Sequence, residues 1–174
     1  MIALSLLLGY LVKTVDLSEE HGLRLPRTLV LLLSAAYGFL IALLIHSHPQ
    51  ITPLYLAVVA AVALSGKIDA PSHYLAIAVF VAAIAYYSLP QFSPPLLVFF
   101  LAAALLDEFG NSLCDSGKLS VPLLSAVFKH RLALNIAAAL AFAFTGEPLL
   151  LVSIVLFDLG YQAAPYLTGR KPRG

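Results

Sequence analysis

Residues 28–45 read TLVLLLSAAYGFLIALLI, eighteen consecutive residues without a formal charge. A helix of about 20 apolar residues crosses the hydrocarbon core of a bilayer, so this stretch predicts a transmembrane helix. The composition agrees, because 61% of the 174 residues are hydrophobic and only 11% are charged. A soluble domain of this size cannot hide so large an apolar fraction, since much of its surface stays exposed to water. The sequence therefore predicts an integral membrane protein and excludes a soluble domain, a disordered chain and a nucleic-acid-binding protein.

Seven apolar segments follow one another along the chain, separated by polar or proline-containing connections. They are Met1–Val15, Pro26–Ile45, Ile51–Ser65, Ser72–Leu89, Pro94–Leu106, Leu132–Thr145 and Pro148–Leu167. Several are shorter than a full span, so they must extend into their flanks or the bilayer must thin around them. We predict an all-α membrane protein with one polytopic domain over residues 1–174 and no soluble domain. It has seven transmembrane helices, or six if one segment is re-entrant.

The basic residues are confined to alternate connections of the chain. All ten Lys and Arg lie in residues 13–27, 66–73 and 107–131 and in the tail after Leu167. If the segments alternate in direction, these regions share one side of the membrane, and the positive-inside rule makes that side cytoplasmic. The expected protein lies in the cell membrane with its N-terminus outside, its C-terminus inside and its polar face in the cytoplasm. The opposite face carries only Glu147 as a formal charge.

The densest group of polar residues follows the fifth apolar segment, where residues 107–115 read DEFGNSLCD. If the helix continues, Asp107 and Asn111 lie one turn apart on the same face. Oxygen ligands suit Mg²⁺ or Mn²⁺, and magnesium sites commonly combine one or two carboxylates with substrate phosphates. We therefore predict that Asp107, Glu108 and Asn111 bind the metal, and that both acids are catalytic. The alternative is a solvated helix end that stops at Gly110.

Further ionisable residues lie on the other segments that border the basic face. Asp158 interrupts the last apolar segment, where a charge costs a few kcal/mol, so we predict that it is catalytic; the alternative is a hydrogen-bonded residue that locks helix packing. Asp16 and Asp69 are predicted as further metal ligands, although arginines nearby can pair the first and helix capping can explain the second. His73 is predicted to be catalytic, because a histidine one turn from the Asp69 carboxylate can share a metal ion or a proton with it; the alternative is a solvated histidine at the interface.

Basic and amide side chains near these acids are predicted to hold a substrate phosphate. The predicted substrate-binding residues are Lys67, Lys118, His130, Arg131 and Asn135. The alternative is that the cations only anchor the chain on anionic lipid, at about 1 kcal/mol for each charge near the surface.

Three functions are compatible with this pattern. The first is an enzyme, a lipid transferase or phosphohydrolase, that needs Mg²⁺ or Mn²⁺ and acts on a phosphorylated or lipid-borne substrate. The second is a small cation or proton-coupled transporter, favoured by Asp158 in mid-span. The third is a scaffold or accessory subunit without chemistry of its own. We favour the enzyme, because the outer halves of the segments are almost wholly apolar and a transport path needs polar groups across the membrane. The expected partners are the bilayer and a phosphorylated lipid, with no nucleic acid.

Overall fold

The computed structural model describes residues 2–20, 22–66, 70–119, 121–129 and 131–169. Within these ranges the chain is all-helical and contains no strand, which confirms the predicted class of secondary structure. The α-helices are α1 (Ile2–Glu19), α2 (Arg27–Ser47), α3 (Thr52–Leu64), α4 (Pro71–Tyr87), α5 (Pro94–Asp115), α6 (Pro122–Lys129), α7 (Leu132–Thr145) and α8 (Pro148–Leu167). A single 3₁₀ turn at Pro49–Ile51 leads into α3.

Each predicted apolar segment corresponds to one helix, but the connection over residues 107–131 is also largely helical. Helix α5 continues past Leu106 to Asp115, and α6 forms where the sequence suggested a loop. Gly110 does not end α5. Its role is to let α6 approach, since a Cβ atom at this position would lie 2.3 Å from the Phe128 ring.

Three helices are long and apolar enough to cross a membrane in the described part of the chain. They are Arg27–Ser47, Pro94–Cys114 and Pro148–Leu167. Helices α6 and α7 are together also long and apolar enough to cross a membrane if the bent pair is counted as one span. This pair is a fourth candidate. Helices α3 and α4 are apolar but shorter. The structure therefore contains three or four candidate spans, and the number seven stays a prediction.

The helices divide into two compact units. Unit 1 contains α1, α2, α4 and most of α8, and unit 2 contains α3, α5, α6 and α7. The chain segments are Met1–Pro49, Asp69–Pro90 and Val152–Gly174 for unit 1, and Gln50–Ile68 and Gln91–Leu151 for unit 2.

Glycines bring the helices of unit 1 into backbone contact. Helices α1 and α8 cross at Gly9 and Gly160, each the centre of a Leu-Gly-Tyr triplet. A Cβ on Gly9 would lie 1.9 Å from the carbonyl oxygen of Phe157, and a Cβ on Gly160 would lie equally close to that of Leu6. Membrane helices commonly pack through small residues in this way, because apolar side chains gain little by leaving lipid for one another.

The contacts also define the relative directions of the helices in unit 1. Helices α2 and α4 run parallel, since Tyr37 contacts His73 near the start of α4 and His46 contacts Tyr87 at its end. Helix α1 runs antiparallel to α2, because Glu19 at the end of α1 pairs with Arg27 at the start of α2. Helices α1 and α8 run parallel: Leu6 lies against Gly160, and Thr14, further along α1, lines one cavity with Thr168, the residue after the end of α8.

We expect Gly9→Ala to lower the free energy of unfolding by about 1–3 kcal/mol, because the added methyl group forces α1 and α8 apart. Thermal unfolding of the detergent-purified protein measures the effect. Ala3→Val is the matched control, since Ala3 lies on the exposed side of the same helix. A Gly9→Ala variant as stable as the wild type would show that the helices do not cross at this glycine.

Candidate functional site

All four helices of unit 1 contribute a polar side chain to one connected group. We call it the polar cluster; its members are Lys13 and Asp16 from α1, Tyr37 from α2, His73 from α4 and Tyr161 from α8. Asp16 and His73 were both predicted as site residues from the sequence. The structure brings these two together although they are far apart in the chain.

The polar cluster is a continuous series of close contacts. The Tyr161 hydroxyl donates a hydrogen bond to Asp16 Oδ2 at 2.8 Å and accepts one from Lys13 Nζ at 3.2 Å. The lysine ammonium also lies 4.6 Å from the centre of the Tyr161 ring, within cation–π range. Asp16 Oδ1 lies 3.4 Å from His73 Nε2, and His73 Nδ1 lies 2.7 Å from the Tyr37 hydroxyl oxygen. Both ring nitrogens of His73 therefore face an oxygen atom.

Burial gives the polar cluster its electrostatic character. The side chains of Asp16 and His73 are 17% and 16% exposed, and Tyr37 is buried. Charges screened from water interact more strongly, and polar groups left unmatched there are costly. The two central side chains nevertheless keep enough exposed surface for a ligand to reach them.

The His73 ring allows two arrangements of protons in the polar cluster, because either nitrogen of a neutral imidazole can carry the hydrogen. In one, Tyr37 donates to Nδ1 and the Nε2–H group points at Asp16. In the other, Nδ1–H donates to Tyr37, so a bare Nε2 and a carboxylate oxygen face each other. The second arrangement needs a proton or a cation between the two atoms.

An ion pair borders the polar cluster at the end of α1. Arg27 pairs with Glu19, three residues after Asp16. Arginine pairing had been the alternative for Asp16 itself. Glu19 lies beyond the apolar segment that ends at Val15. The Ser72 hydroxyl beside it, and then the Arg27 guanidinium and the His73 ring, lower the pKa of the Glu19 carboxyl from its usual value.

A second polar group lies in unit 2, where α5 meets the start of α7. The buried Asp107 accepts hydrogen bonds from the backbone N–H groups of Ala133, at 3.0 Å to Oδ1, and Leu134, at 2.8 Å to Oδ2. The first N–H groups of a helix lack partners within the helix, and a carboxylate there also interacts well with the helix dipole. Glu108 Oε1 lies 3.0 Å from Arg131 Nη1, just before α7 begins.

These contacts give Asp107 a structural role that the sequence analysis did not foresee. It caps α7 from a neighbouring helix, and Glu108 holds Arg131, whose backbone has a left-handed φ of 51°. The sequence analysis had placed acids and Arg131 in one site, and the structure does bring Glu108 and Arg131 together. A metal bound by Asp107, Glu108 and Asn111 stays a prediction.

The remaining predicted site residues are distributed over both units. Asn111 and Asn135 are half-buried on α5 and α7, Asp158 is half-buried on α8, and Lys118 is exposed. Lys67, Asp69 and His130 lie outside the described residues. Within the described residues, no three His, Cys, Asp or Glu side chains lie close enough together to hold a metal ion.

Two tyrosines of the polar cluster were not predicted as site residues. Tyrosines near helix ends are commonly interfacial, so a tyrosine in the sequence does not by itself indicate a site. Tyr37, however, lies ten residues into α2, about 15 Å from its start. A hydroxyl at that depth in lipid needs a partner from the protein, so its depth was the available signal.

Comparison with known proteins gives no match for this chain. No protein-family model matches it, and neither a curated protein nor a solved structure does. The function is therefore argued from the geometry of the site.

We expect Asp107→Ala to destabilise the protein by about 0.5–2 kcal/mol, because two N–H groups of α7 lose their cap. Asp107→Asn retains one acceptor oxygen and loses less. Thermal unfolding measures both, with Glu147→Ala in the exposed connection before α8 as the control. If Asp107→Ala unfolds at the wild-type temperature, the capping role is wrong.

We expect the stabilisation from Glu19 to depend on pH. A carboxyl whose pKa is lowered by folding stabilises the protein above its usual pKa of 4.5, and that contribution disappears as the pH falls through the lowered value. Wild type should therefore have a higher free energy of unfolding than Glu19→Gln at neutral pH, by less than about 1 kcal/mol because the pair is partly exposed. This difference should disappear in acid. A difference that grows in acid would contradict the assignment.

Proposed function

We propose that this chain is a seven-span membrane enzyme that acts at the cytoplasmic face on a phosphorylated, lipid-borne substrate. Its site is the polar cluster, in which Asp16 and His73 bind a divalent cation. The observation that carries the proposal is the separation of 3.4 Å between Asp16 Oδ1 and His73 Nε2, contributed by two different helices.

This separation fits two ligands of one metal ion. Carboxylate oxygens and imidazole nitrogens bind such ions at about 2.0–2.2 Å, so neighbouring ligands lie about 3–3.5 Å apart. A metal-binding histidine commonly donates its other N–H to an oxygen, and metal-binding carboxylates are themselves hydrogen-bonded. The Tyr37 hydroxyl is the oxygen beside the other ring nitrogen of His73, and the Tyr161 hydroxyl donates a hydrogen bond to Asp16.

The neighbouring charges suit a phosphate substrate. A divalent cation neutralises phosphate oxygens and polarises the phosphorus centre for attack, and Lys13 beside it supplies a further positive charge. Magnesium sites use few protein ligands and complete their shell with water and phosphate. An imidazole ligand favours Mn²⁺ over Mg²⁺.

The helix directions in unit 1 support seven alternating spans. In such a topology the first and last spans run the same way, as do the second and fourth. The parallel pairs α1–α8 and α2–α4 agree with this, as does the antiparallel pair α1–α2. The N-terminus is then outside and the polar cluster lies toward the basic, cytoplasmic side.

A proton-coupled transporter is the second candidate, and the continuity of the polar cluster favours it. Titratable side chains from four helices form one series of close contacts, and membrane transporters use such groups as proton relays. In this function a proton, not a metal ion, occupies the space between Asp16 and His73.

Binding of Mn²⁺ to the detergent-purified protein tests the proposal directly. Electron paramagnetic resonance measures free Mn²⁺, so bound metal appears as lost signal. We expect the wild type to bind Mn²⁺, Asp16→Asn and His73→Gln to lose it, and Tyr161→Phe to bind about 10- to 100-fold more weakly. Asp107→Asn, in unit 2, is the matched carboxylate control and is expected to bind normally.

Other outcomes of this titration separate the candidate functions. If Asp107→Asn loses the metal and Asp16→Asn retains it, the site is on α5 and the polar cluster is not catalytic. If the wild type binds no Mn²⁺, the metal-dependent enzyme is wrong. Proton uptake into liposomes, lost in Asp16→Asn, would then support the transporter.

A further inference from the structure

A cavity of about 370 Å³ lies in unit 1 on a different side of α1 from the polar cluster. Lys13 and Asp16 face the polar cluster, whereas Leu11 and Thr14 face the cavity. Its other walls come from α2, from the segment between α1 and α2, and from the end of α8. The volume is at the lower end of the range for small-molecule sites, about 300–1,000 Å³.

The cavity wall is mainly apolar, and its polar side chains are those of Tyr10 and two threonines. Leucines from α1, α2 and the segment between them form most of its lining. The two threonines in its wall use their hydroxyl protons within their own helices: Thr14 donates to the carbonyl of Tyr10, and Thr168 donates to that of Ala164. A ligand held here must therefore be mainly hydrocarbon.

The cavity extends inward from the level of the basic residues. Leu29 and Leu33 lie one turn apart on α2, and Leu33 is six residues from Arg27, about 9 Å along the helix axis. In the preceding segment, Leu23 and Leu25 line the cavity while Arg24 between them is exposed. An apolar cavity whose lining segment carries an exposed arginine matches one hydrocarbon chain with an anionic headgroup.

We propose that this cavity binds one hydrocarbon chain of an anionic membrane lipid, whose headgroup lies beside Arg24. The lipid occupies its own site and is not the substrate of the polar cluster. The proposal therefore does not depend on the proposed enzyme activity.

The absence of tryptophan from the sequence allows a direct test with a single probe. Tyr10→Trp introduces a tryptophan in the cavity wall, and brominated lipid chains quench its fluorescence on contact. Detergent-purified Tyr10→Trp protein is titrated with dibrominated phosphatidylglycerol, which is anionic, or with dibrominated phosphatidylcholine, which has no net charge. Tyr86→Trp is the control probe, since Tyr86 is 82% exposed and lies at the other end of unit 1.

We expect quenching of Tyr10→Trp to saturate near one phosphatidylglycerol per protein, with at least fivefold weaker binding of phosphatidylcholine. The Tyr86→Trp probe should show no saturation at that ratio. Adding Leu33→Phe, which narrows the cavity, should weaken the saturable quenching, and adding Arg24→Gln should remove the headgroup preference. Asp16→Asn should leave lipid binding unchanged even if it abolishes Mn²⁺ binding. The experiments therefore distinguish failure of the lipid site from failure of the metal site.

Three results would overturn the lipid site. The first is equal quenching of both probes, which indicates only bulk contact with lipid. The second is unchanged quenching after Leu33→Phe. The third comes from native mass spectrometry of the unmodified protein, which does not depend on the probe: no retained phosphatidylglycerol in the wild type would contradict the proposal. A headgroup preference that survives Arg24→Gln would overturn the assignment of Arg24.

Discussion

The backbone contact between α1 and α8 is the constraint on which the polar cluster depends. Gly9 and Gly160 allow the two helices to approach until each Cα faces the other helix's carbonyl oxygen. At a larger separation, Tyr161 would not reach Asp16 and Lys13 together. The carboxylate would then lose the hydroxyl that orients it, in surroundings where lipid offers no replacement. The chemistry of the site therefore depends on two residues that have no side chain.

Much of the architecture followed from the sequence because apolar runs and proline-containing breaks are local signals. The chief miss, α6, has a physical reason. It is eight residues long and lies inside a polar connection, so its length does not mark it as a helix. It forms because Gly110 of α5 leaves space for the Phe128 ring, a contact that exists only after the helices pack.

The sequence indicated which types of residue form the site, but not which of these side chains contact one another. Asp16 was predicted as a metal ligand and His73 as a catalytic group, both from their residue types and their place beside the basic connections, yet nothing local shows that these two meet. Asp107 illustrates the opposite case. The sequence indicates a carboxylate available for a ligand, whereas the folded chain gives both of its oxygens to the start of α7. Backbone N–H groups that need acceptors compete with ligands for the same carboxylates, and this competition appears only in three dimensions.

The weakest contact in the polar cluster is also where its chemistry is expected. Tyr161, Lys13 and Tyr37 make contacts of 2.7–3.2 Å, while Asp16 and His73 are separated by 3.4 Å. A network built only to satisfy buried groups would be expected to shorten the contact between its carboxylate and its imidazole, which is its strongest potential attraction. Tyr161 instead contacts Asp16, and Tyr37 contacts His73, each through an atom other than the two that face each other. The position between Asp16 and His73 is therefore the most easily occupied one. In the proposed functions, a metal ion or a proton occupies this position and changes the charge of the polar cluster.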